Sequence, residues 1–522
     1  GVKADLGVLE LAGSNSYTGG TTVRAGTLKI NGSLAGSLSV GSGARLQGRG
    51  SAGPVTINGG ATIAPGNSIG TLTFNGSYTQ LPGSIYEVEV DAAGNSDRIV
   101  VNGSADLQGG TVNVLKAAGD YRIGTRYTIL DASGGISGSF AGLTQNLPFI
   151  GLALAQDAQH VYLDVTRTAT SFAELARTRN QNVAAGAIEA LGAGQTAYDA
   201  VAAVTSAEAA RSAYDALSGE LYASVRGVLL DDSRQWREAA LLRARTAAGP
   251  VDRPAGWARA YGTTRRHDGD GNAATLSSDG GGVLFGADAA LGAGHVGVGG
   301  GYGQSRLDID GRNSSADVDS YQLGMYAGLQ QERLGLRAGV AYGWHGIDSR
   351  RQISIAQFHD RTRADYHARS LQAFGEAGYA LDSGMARIEP FAGLAYVRLD
   401  SDAMREQGGA AALSVETARD EVWFSSLGMR LDSTLGRDDV RARGQLGWLH
   451  ADGDLRPVGA MAFAGGGNFA PAGLPVARDV LQVELGADIT LNRSASLGLY
   501  YAGQFAGQVS DHSLRAEAVW RF

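Results

Sequence analysis

The chain has 522 residues, with 44 Lys and Arg against 52 Asp and Glu, 78 Gly, 10 Pro, 7% aromatics and no Cys. That length accommodates two or three domains, and a glycine load without a G-X-Y period excludes collagen and points to turns and small-residue strands. The charge of −8 is mixed along the chain with no basic, aromatic-interleaved patch, which argues against nucleic acid, while the absent cysteines remove disulfides, thiolate metal sites and cysteine nucleophiles.

The chain opens on Gly1 without an initiator Met or a signal peptide, as a processed product does. Residues 1–170 show no helical period. Short apolar pairs recur between Gly, Asn and Ser turns: Leu28/Ile30, Leu38/Val40, Val55/Ile57 and Leu72/Phe74, with Leu46 and Ile63 between them. Such spacing predicts stacked short strands, as in a parallel solenoid or a sandwich. The echo of "GTLKINGS" (26–33) in "GTLTFNGS" (70–77) favours repeated rungs.

Within this zone Gly66-Asn67-Ser68-Ile69-Gly70 spells G-x-S-x-G, the pattern of a nucleophile elbow. An elbow needs a strand before the serine, a helix after it and a histidine in reach. Here Pro65-Gly66 precedes Ser68 and a strand pattern follows, and His160 alone shares the zone, with no evident acidic orienter. A Pro-Gly corner whose Asn67 and Ser68 bond turn backbone is the expectation.

Residues 171–247 read as helix. Ser171 with Glu174, and Thr205 with Glu208, fit capping boxes. The first helix is expected to end near Gly192, the second to run from about 206 to the Gly249-Pro250 breaker. Its later part is rich in charge: Asp231, Asp232, Arg234, Arg237, Glu238, Arg243 and Arg245.

From 255 onward the period is two. Leu334, Leu336, Ala338, Val340, Tyr342 and Trp344 fall on one face, with Arg333, Arg337 and glycines on the other. Twelve such segments occur, near 255–264, 280–292, 295–308, 317–330, 332–346, 367–381, 385–400, 421–432, 438–450, 479–490, 494–503 and 512–522. Connections after even segments are tight (292–294, 382–384), and those after odd ones mostly long (346–366, 401–420, 451–478). An even strand count with short turns on one rim and long loops on the other predicts an outer-membrane barrel, which alone among β structures satisfies its backbone in hydrocarbon. No run of about 18 apolar residues exists to make a transmembrane helix.

Other motifs give little. "VGVGGGYG" (296–303) is glycine-rich but has no helix behind it, so it suits small lumen-facing residues better than a dinucleotide site. Asp268, Asp270, Asn272 and Asp279 occupy EF-hand positions 1, 3, 5 and 12, but Ala273 replaces the glycine and the last ligand is not Glu. No HExxH or histidine cluster suggests zinc, and neither a cofactor, a metal site nor a catalytic constellation is expected of this chain.

In order along the chain, "GSNSYTGGTTVRAGTLKINGS" (13–33) resembles a passenger-associated repeat. "IAPGNSIGTLTFNGSYTQ" (63–80) and "SDRIVVNGSADLQGG" (96–110) resemble an autochaperone region. "ALSGELYAS" (216–224) resembles a linker helix, and "GWARAYG" (256–262) a first barrel strand. Together they resemble the C-terminal part of a type Va autotransporter, most like the subtilisin-like serine protease members. That resemblance implies a mainly β chain: the end of a right-handed parallel β-helix passenger (1–76), an autochaperone cap (77–170), a helical linker (171–205), a helix whose C-terminal part plugs the pore (206–254) and a 12-stranded barrel (255–522). It implies a type V translocator in the outer membrane of a Gram-negative bacterium, with 1–205 at or outside the cell surface. Its partners would be its own passenger, outer-membrane lipid and lipopolysaccharide, periplasmic chaperones and the barrel-assembly machinery, which reads a terminal signal at Leu514, Trp520 and Phe522. A cysteine-free chain suits passage through the oxidising periplasm.

A helix over 220–247 would be roughly 40 Å long at about 1.5 Å per residue, enough to cross a membrane about 30 Å thick. Its charges suit a lumen offering Arg333, Arg337, Glu389, Arg515 and Glu517 as partners. Intrabarrel self-cleavage in this family needs an Asn in the lumen helix. Residues 206–250 hold none, and Asn180 and Asn182 are expected outside the pore. Two alternatives stay open: a short adhesive stalk in 1–170, or an esterase passenger upstream.

Overall fold

The computed structural model describes residues 7–117, 121–144, 148–246, 254–384, 386–434, 437 and 439–522. It has two compact units: one of residues up to 175 with 192–210 and 355–357, the other of 176–191, 211–354 and 358–522.

The first unit is a parallel β-helix. Successive turns of chain contribute one strand to each of three parallel sheets. Along one sheet Val8 lies beside Thr27, Thr27 beside Arg45, and Ile85 beside Thr111. The strands in the middle of the stack turn alternate residues inward. Leu28, Ile30, Leu46, Ile57, Ile63, Leu72 and Phe74 are at most 2% exposed, and each such side chain contributes about 1.5–3 kcal/mol on burial. The echoed strings do not mark equivalent places: Gly26–Ile30 lies in one sheet and Thr71–Phe74 in another. All three faces ask for the same thing, two inward apolar residues before a turn, so one short string serves on different faces. The stack ends in an antiparallel hairpin, Ile150–Gln156 with His160–Arg167, whose second strand pairs with Arg126–Ala132.

The G-x-S-x-G corner is a turn. Gly66 has φ 90° and exchanges backbone hydrogen bonds with Gly48 on the neighbouring coil, and a Cβ there would sit 1.8 Å from the Ser68 carbonyl. Ser68 is exposed, and a strand, Thr71–Phe74, follows it. Asn67 bonds the Asn31 side chain at 3.2 Å, across coils, where a bond to turn backbone was expected. His160 does have an acidic neighbour: its Nδ1 lies 3.0 Å from Asp157.

The helical stretch divides into α1 (Arg179–Leu191), α2 (Thr196–Ala202), α3 (Ala207–Leu217), α4 (Glu220–Asp232) and α5 (Arg234–Thr246). The Ser171–Glu174 box forms, with Glu174 accepting the Ser171 N–H at 2.8 Å, but it opens a 3-10 turn, Phe172–Leu175. At the next start Ser206, rather than Thr205, caps, accepting the Ala209 N–H at 3.1 Å. The helix expected to be continuous from 206 breaks at Gly219, with φ 69°. A side chain there would run into Leu413 and Met461. Ser233 keeps helical angles between α4 and α5, so these two run on as one rod. The expected stop at Gly249-Pro250 lies outside the described residues.

The second unit is a closed antiparallel barrel of twelve strands: β1 Ala255–His267, β2 Leu276–Leu291, β3 Gly294–Ile309, β4 Ser314–Gln331, β5 Leu334–Ile355, β6 Phe358–Tyr379, β7 Ala386–Ser401, β8 Ala418–Ser433, β9 Val440–Gly453, β10 Asp479–Asn492, β11 Ala495–Phe505 and β12 Val509–Arg521. Closure is by β12 against β1, from Ala255↔Arg521 to His267↔Val509. At that seam the Trp520 indole covers Gly256, where a Cβ would be 2.5 Å from it, and the Phe522 N–H bonds the Pro254 carbonyl.

The outer face is apolar: Leu323, Met325, Leu446, Leu485, Leu499 and Leu514 are each more than half exposed. Tyr302, Tyr321 and Trp344 stand side by side across β3, β4 and β5, the aromatic belt of a membrane interface. One expected loop, 346–366, is instead strand. β5 and β6 are each 22 residues long and turn at 356–357. Alternation continues through that polar stretch, with Ile347, Ile353, Ile355, Ala364 and Tyr366 turned inward and buried, so polarity on the outer face hid the pattern. The connections 402–417 and 454–478 carry short strands, Met404–Arg405, Leu413–Val415 and Met461–Phe463, which pair into a small sheet.

Candidate functional site

The barrel is filled by α4 and α5. The contacts run down its length in order. Arg226 on α4 meets Asp420 on β8 at 2.9 Å, and Asp232 meets Arg265 on β1 at 2.8 Å. On α5, Arg234 meets Asp511 on β12 at 2.6 Å, and Arg243 meets Asp288 on β2 at 2.8 Å. The α4 end thus lies toward the long loops. The α5 end lies toward the tight turns, with the Ala244 carbonyl packed on Gly328.

Charge is placed here because a barrel wall with lipid outside must face its polar residues inward. Three of the four pairs are nearly solvent-free: the Arg234 and Asp511 side chains are 4% and 1% exposed, those of Arg243 and Asp288 3% and 5%, while Asp232 is partly open. Burial of such a pair adds little net stability, but removing one partner strands the other charge at a cost of about 3–5 kcal/mol. The ladder therefore specifies the position and depth of the helix more than it stabilises the barrel.

The remaining helix charges are placed as follows. Glu238 bonds Arg515 on β12. Arg237 donates to Gln372 at 3.2 Å and lies over the Phe424 ring. Arg245 lines a polar cavity beside α5 with Glu376, Arg430 and Gln445. Asp231, at the end of α4, is half-buried.

The barrel residues expected to meet the helix mostly meet the wall. Arg337 pairs with Glu376 at 2.9 Å and Glu389 at 2.8 Å, and Arg430 joins the same group. Glu517 pairs with Arg259 at 2.6 Å across the β12–β1 seam. Arg333 sits exposed in the turn between β4 and β5, outside the lumen. Of the five, Arg515 is the one that pairs with the helix, through Glu238, among the described residues, and it also holds Glu484 at 3.0 Å. Neighbouring strands bring opposite charges together at strand spacing, so the wall satisfies itself first. Leu514, Trp520 and Phe522 face outward, 59%, 39% and 68% exposed.

Sequence reasoning missed Trp236. Fully buried on α5, it rests on Gly299 and Gly324, where a Cβ would approach its ring to 2.9 and 2.4 Å. Trp257 lies beside it with ring centres 6.2 Å apart, donates to the Tyr326 hydroxyl at 2.8 Å, and Tyr326 in turn bonds Asp288. The glycine run 296–303 is thereby explained as a floor for aromatic rings: Gly297 meets Tyr326, and Gly303 the Tyr261 hydroxyl. Small residues in a strand opposite one helical tryptophan were the available signal.

Asn180 has a role that the sequence did not suggest. It is fully buried in the barrel unit, bonding Glu220 at 3.0 Å and the backbone of Ala472 through both side-chain atoms at 2.8 Å. The EF-hand-like residues have other uses: Asp270 caps the Asn272 and Ala273 N–H groups and pairs with Arg456 at 2.7 Å, Asn272 accepts the Asn180 N–H, and Asp279 is exposed on β2.

Residues 256–502 match the Autotransporter beta-domain family, and residues 2–30 the passenger-associated-transport-repeat. Two proteins of Serratia marcescens described as extracellular serine protease are 34% and 30% identical over the whole of this chain. The chain spans 55% and 56% of their lengths. A solved translocator domain of the autotransporter NalP from Neisseria meningitidis is similar at TM-score 0.48 and 18% identity, covering 58% of this chain and all of that one.

Proposed function

We infer the working of the whole chain from one premise: residues 256–502 are an autotransporter β-domain, the outer-membrane translocator of a Gram-negative bacterium, and residues 2–30 a passenger-associated-transport repeat. From it we read residues 1–76 as the end of the passenger, 77–170 as the autochaperone cap, 171–205 as linker, 206–254 as the pore segment and 255–522 as the barrel. The barrel exports what precedes it and then keeps α4 and α5 as plug and tether. The observation that carries this is the ladder of ion pairs from Arg226 to Arg243, which fits the helix to the lumen at one depth.

Export needs a bias against back-sliding, and the outer membrane has no ATP. Folding of the β-helix outside supplies it, since each added rung buries apolar pairs that cannot be buried in an extended chain. The antiparallel hairpin 150–167 supports a nucleating role for the cap: it gives the last parallel rung a partner on its open edge. Chaperones, lipopolysaccharide and the barrel-assembly machinery are the partners this route requires.

The passenger upstream is a serine protease in this reading, supported by the two relatives described as such. In this reading the present chain supplies none of its catalysis, which is supported by the strand, Thr71–Phe74, that follows Ser68 where a nucleophile elbow has a helix. Protease shaving of intact cells carrying an epitope at the N-terminus tests the export. Loss of the epitope with a protected fragment starting between residues 206 and 256 is expected. An epitope protected until lysis would overturn export and leave only a barrel.

A further inference from the structure

The polar cavity beside α5, of about 80 Å³, lies between the helix and the wall from β6 to β11. Its carboxylates are all claimed: Glu376 takes Arg430 and Arg337, and Glu238 and Glu484 both take Arg515. Its arginines are not. Arg234 has Asp511, and Arg430 has Glu376 and Glu389, but Arg237 and Arg245 have no ion pair among the described residues. Both look into the cavity from one side of α5, with Leu241 between them, at the spacing of four that keeps residues in line on a helix.

Arg237 is 9% exposed, and among the described residues it bonds neutral groups alone, Gln372 at 3.2 Å and Ser233 at 3.4 Å, beside the Phe424 ring. A guanidinium does not shed its charge, and a buried charge without a counter-charge is strongly unfavourable. The neutral groups around it add donors rather than acceptors. Gln445 gives its amide oxygen to Arg430 at 2.7 Å, which leaves its NH₂ group for the cavity. The Gln504 amide nitrogen and Arg234 Nε are both enclosed there without an acceptor. At the tight-turn rim the excess continues. By strand alternation Arg441 shares the lumen side with Arg443, and Arg521 with Glu517, and neither has an ion pair among the described residues.

We propose that this cavity binds a small inorganic oxyanion, phosphate or sulfate, entering from the tight-turn rim, with Arg237 and Arg245 as its cationic ligands and the Gln445 and Gln504 amides as donors. A tetrahedral oxyanion has acceptors on every side, which suits donors arriving from a helix and from two strands, and a guanidinium meets such an anion with two parallel bonds. The place selects the free anion over a lipid headgroup, because acyl chains lie outside the wall. A bound anion supplies the missing counter-charge and ties α5 to β9 and β11, strands to which the ladder of ion pairs makes no attachment. The inference rests on the helix lying in the barrel and is independent of export.

The test uses the full chain in detergent free of phospholipid and phosphate, with radiolabelled sulfate in equilibrium dialysis and heat-modifiable gel migration to report folding. Saturable binding at a single site is expected, competed by phosphate and weakened about tenfold in Arg237→Gln and in Arg245→Gln. Saturating sulfate should also raise the barrel's melting midpoint in the parent and not in the double variant, since a ligand bound by the folded state alone stabilises it. Absence of saturable binding to the parent would overturn the proposal, and so would unchanged affinity in Arg245→Gln. If Arg237→Gln does not fold, Gln504→Leu takes its place, with weaker binding expected and parental affinity equally fatal. Arg493→Gln, in the exposed β10–β11 turn, should bind like the parent, and an equal loss there would mean diffuse attraction to the rim instead of a site. Short-chain phosphatidylglycerol should not compete; competition as strong as that of phosphate would assign the cavity to a headgroup and sink the free anion.

Discussion

The β-helix and the barrel are written in the same period-2 code and turn it in opposite directions. In the first, Ile30, Ile57 and Phe74 point inward at 0% exposure and charged pairs such as Arg98–Asp131 stand on the surface. In the second, Leu323, Leu446 and Leu485 point outward, and Arg234, Arg243 and Arg351 are buried. Alternation therefore fixes which residues share a face, but the wet face is set by what fills the interior. A β-helix is too narrow for anything but its own side chains. A barrel of twelve strands must enclose something polar, and here it encloses a charged helix.

The contrast can be broken from either side. Phe74→Ala, which removes a ring stacked on Tyr78 at 5.5 Å, should cost the β-helix about 3–5 kcal/mol. A proteolysis or circular-dichroism melt would show the loss, with barrel gel migration unchanged. Leu323→Arg, on the lipid face, should cost about 2–4 kcal/mol of barrel insertion and leave the β-helix melt alone. Equal damage to both units from either variant would contradict their independence.

A smaller effect comes from Asp97, 1% exposed in the β-helix. Burial pushes its carboxyl up to about 7, helped by the carboxylates of Glu89 and Glu87 and opposed by the N–H groups of Glu89 and Gly70 that it accepts. A carboxyl whose folded pKa lies above its unfolded value of 3.8 holds its proton more tightly when folded. Its contribution to stability is therefore greatest below about pH 4 and lost as pH rises through 7. Asp97→Asn should flatten that part of the β-helix melting profile between those limits, and an unchanged slope would refute the assignment. Least of all, Ser68→Ala should alter neither display nor any melt, because its side chain lies in an exposed bend.

Legibility followed the same division. The apolar pairs from Leu28 to Phe74 could be read from alternation and the twelve barrel segments from alternation with loop lengths, whereas the placing of the charged helix in the lumen came with the family resemblance. The loop 346–366 was misread because its outward residues, Arg350 and Gln352 among them, are polar where the strands project beyond lipid, while its inward residues keep the pattern. Partner assignment failed for Arg337, Glu389 and Glu517 because register between strands, which pairs wall with wall, is not contained in either strand separately. Trp236 and Asn180 were invisible for a related reason: their sites are made by Gly299, Gly324 and Ala472, far away in sequence and unremarkable one at a time.

The seam between β12 and β1 has a consequence for synthesis. The first strand begins at Ala255 and finds its second neighbour only in residues 509–521, with Phe522 bonded back to Pro254. A chain truncated by even one strand has an open wall, with a row of unpaired backbone groups that hydrocarbon does not tolerate. Residues 509–521 are thus a precondition for a conduit, because without them the first strand keeps one edge unpaired.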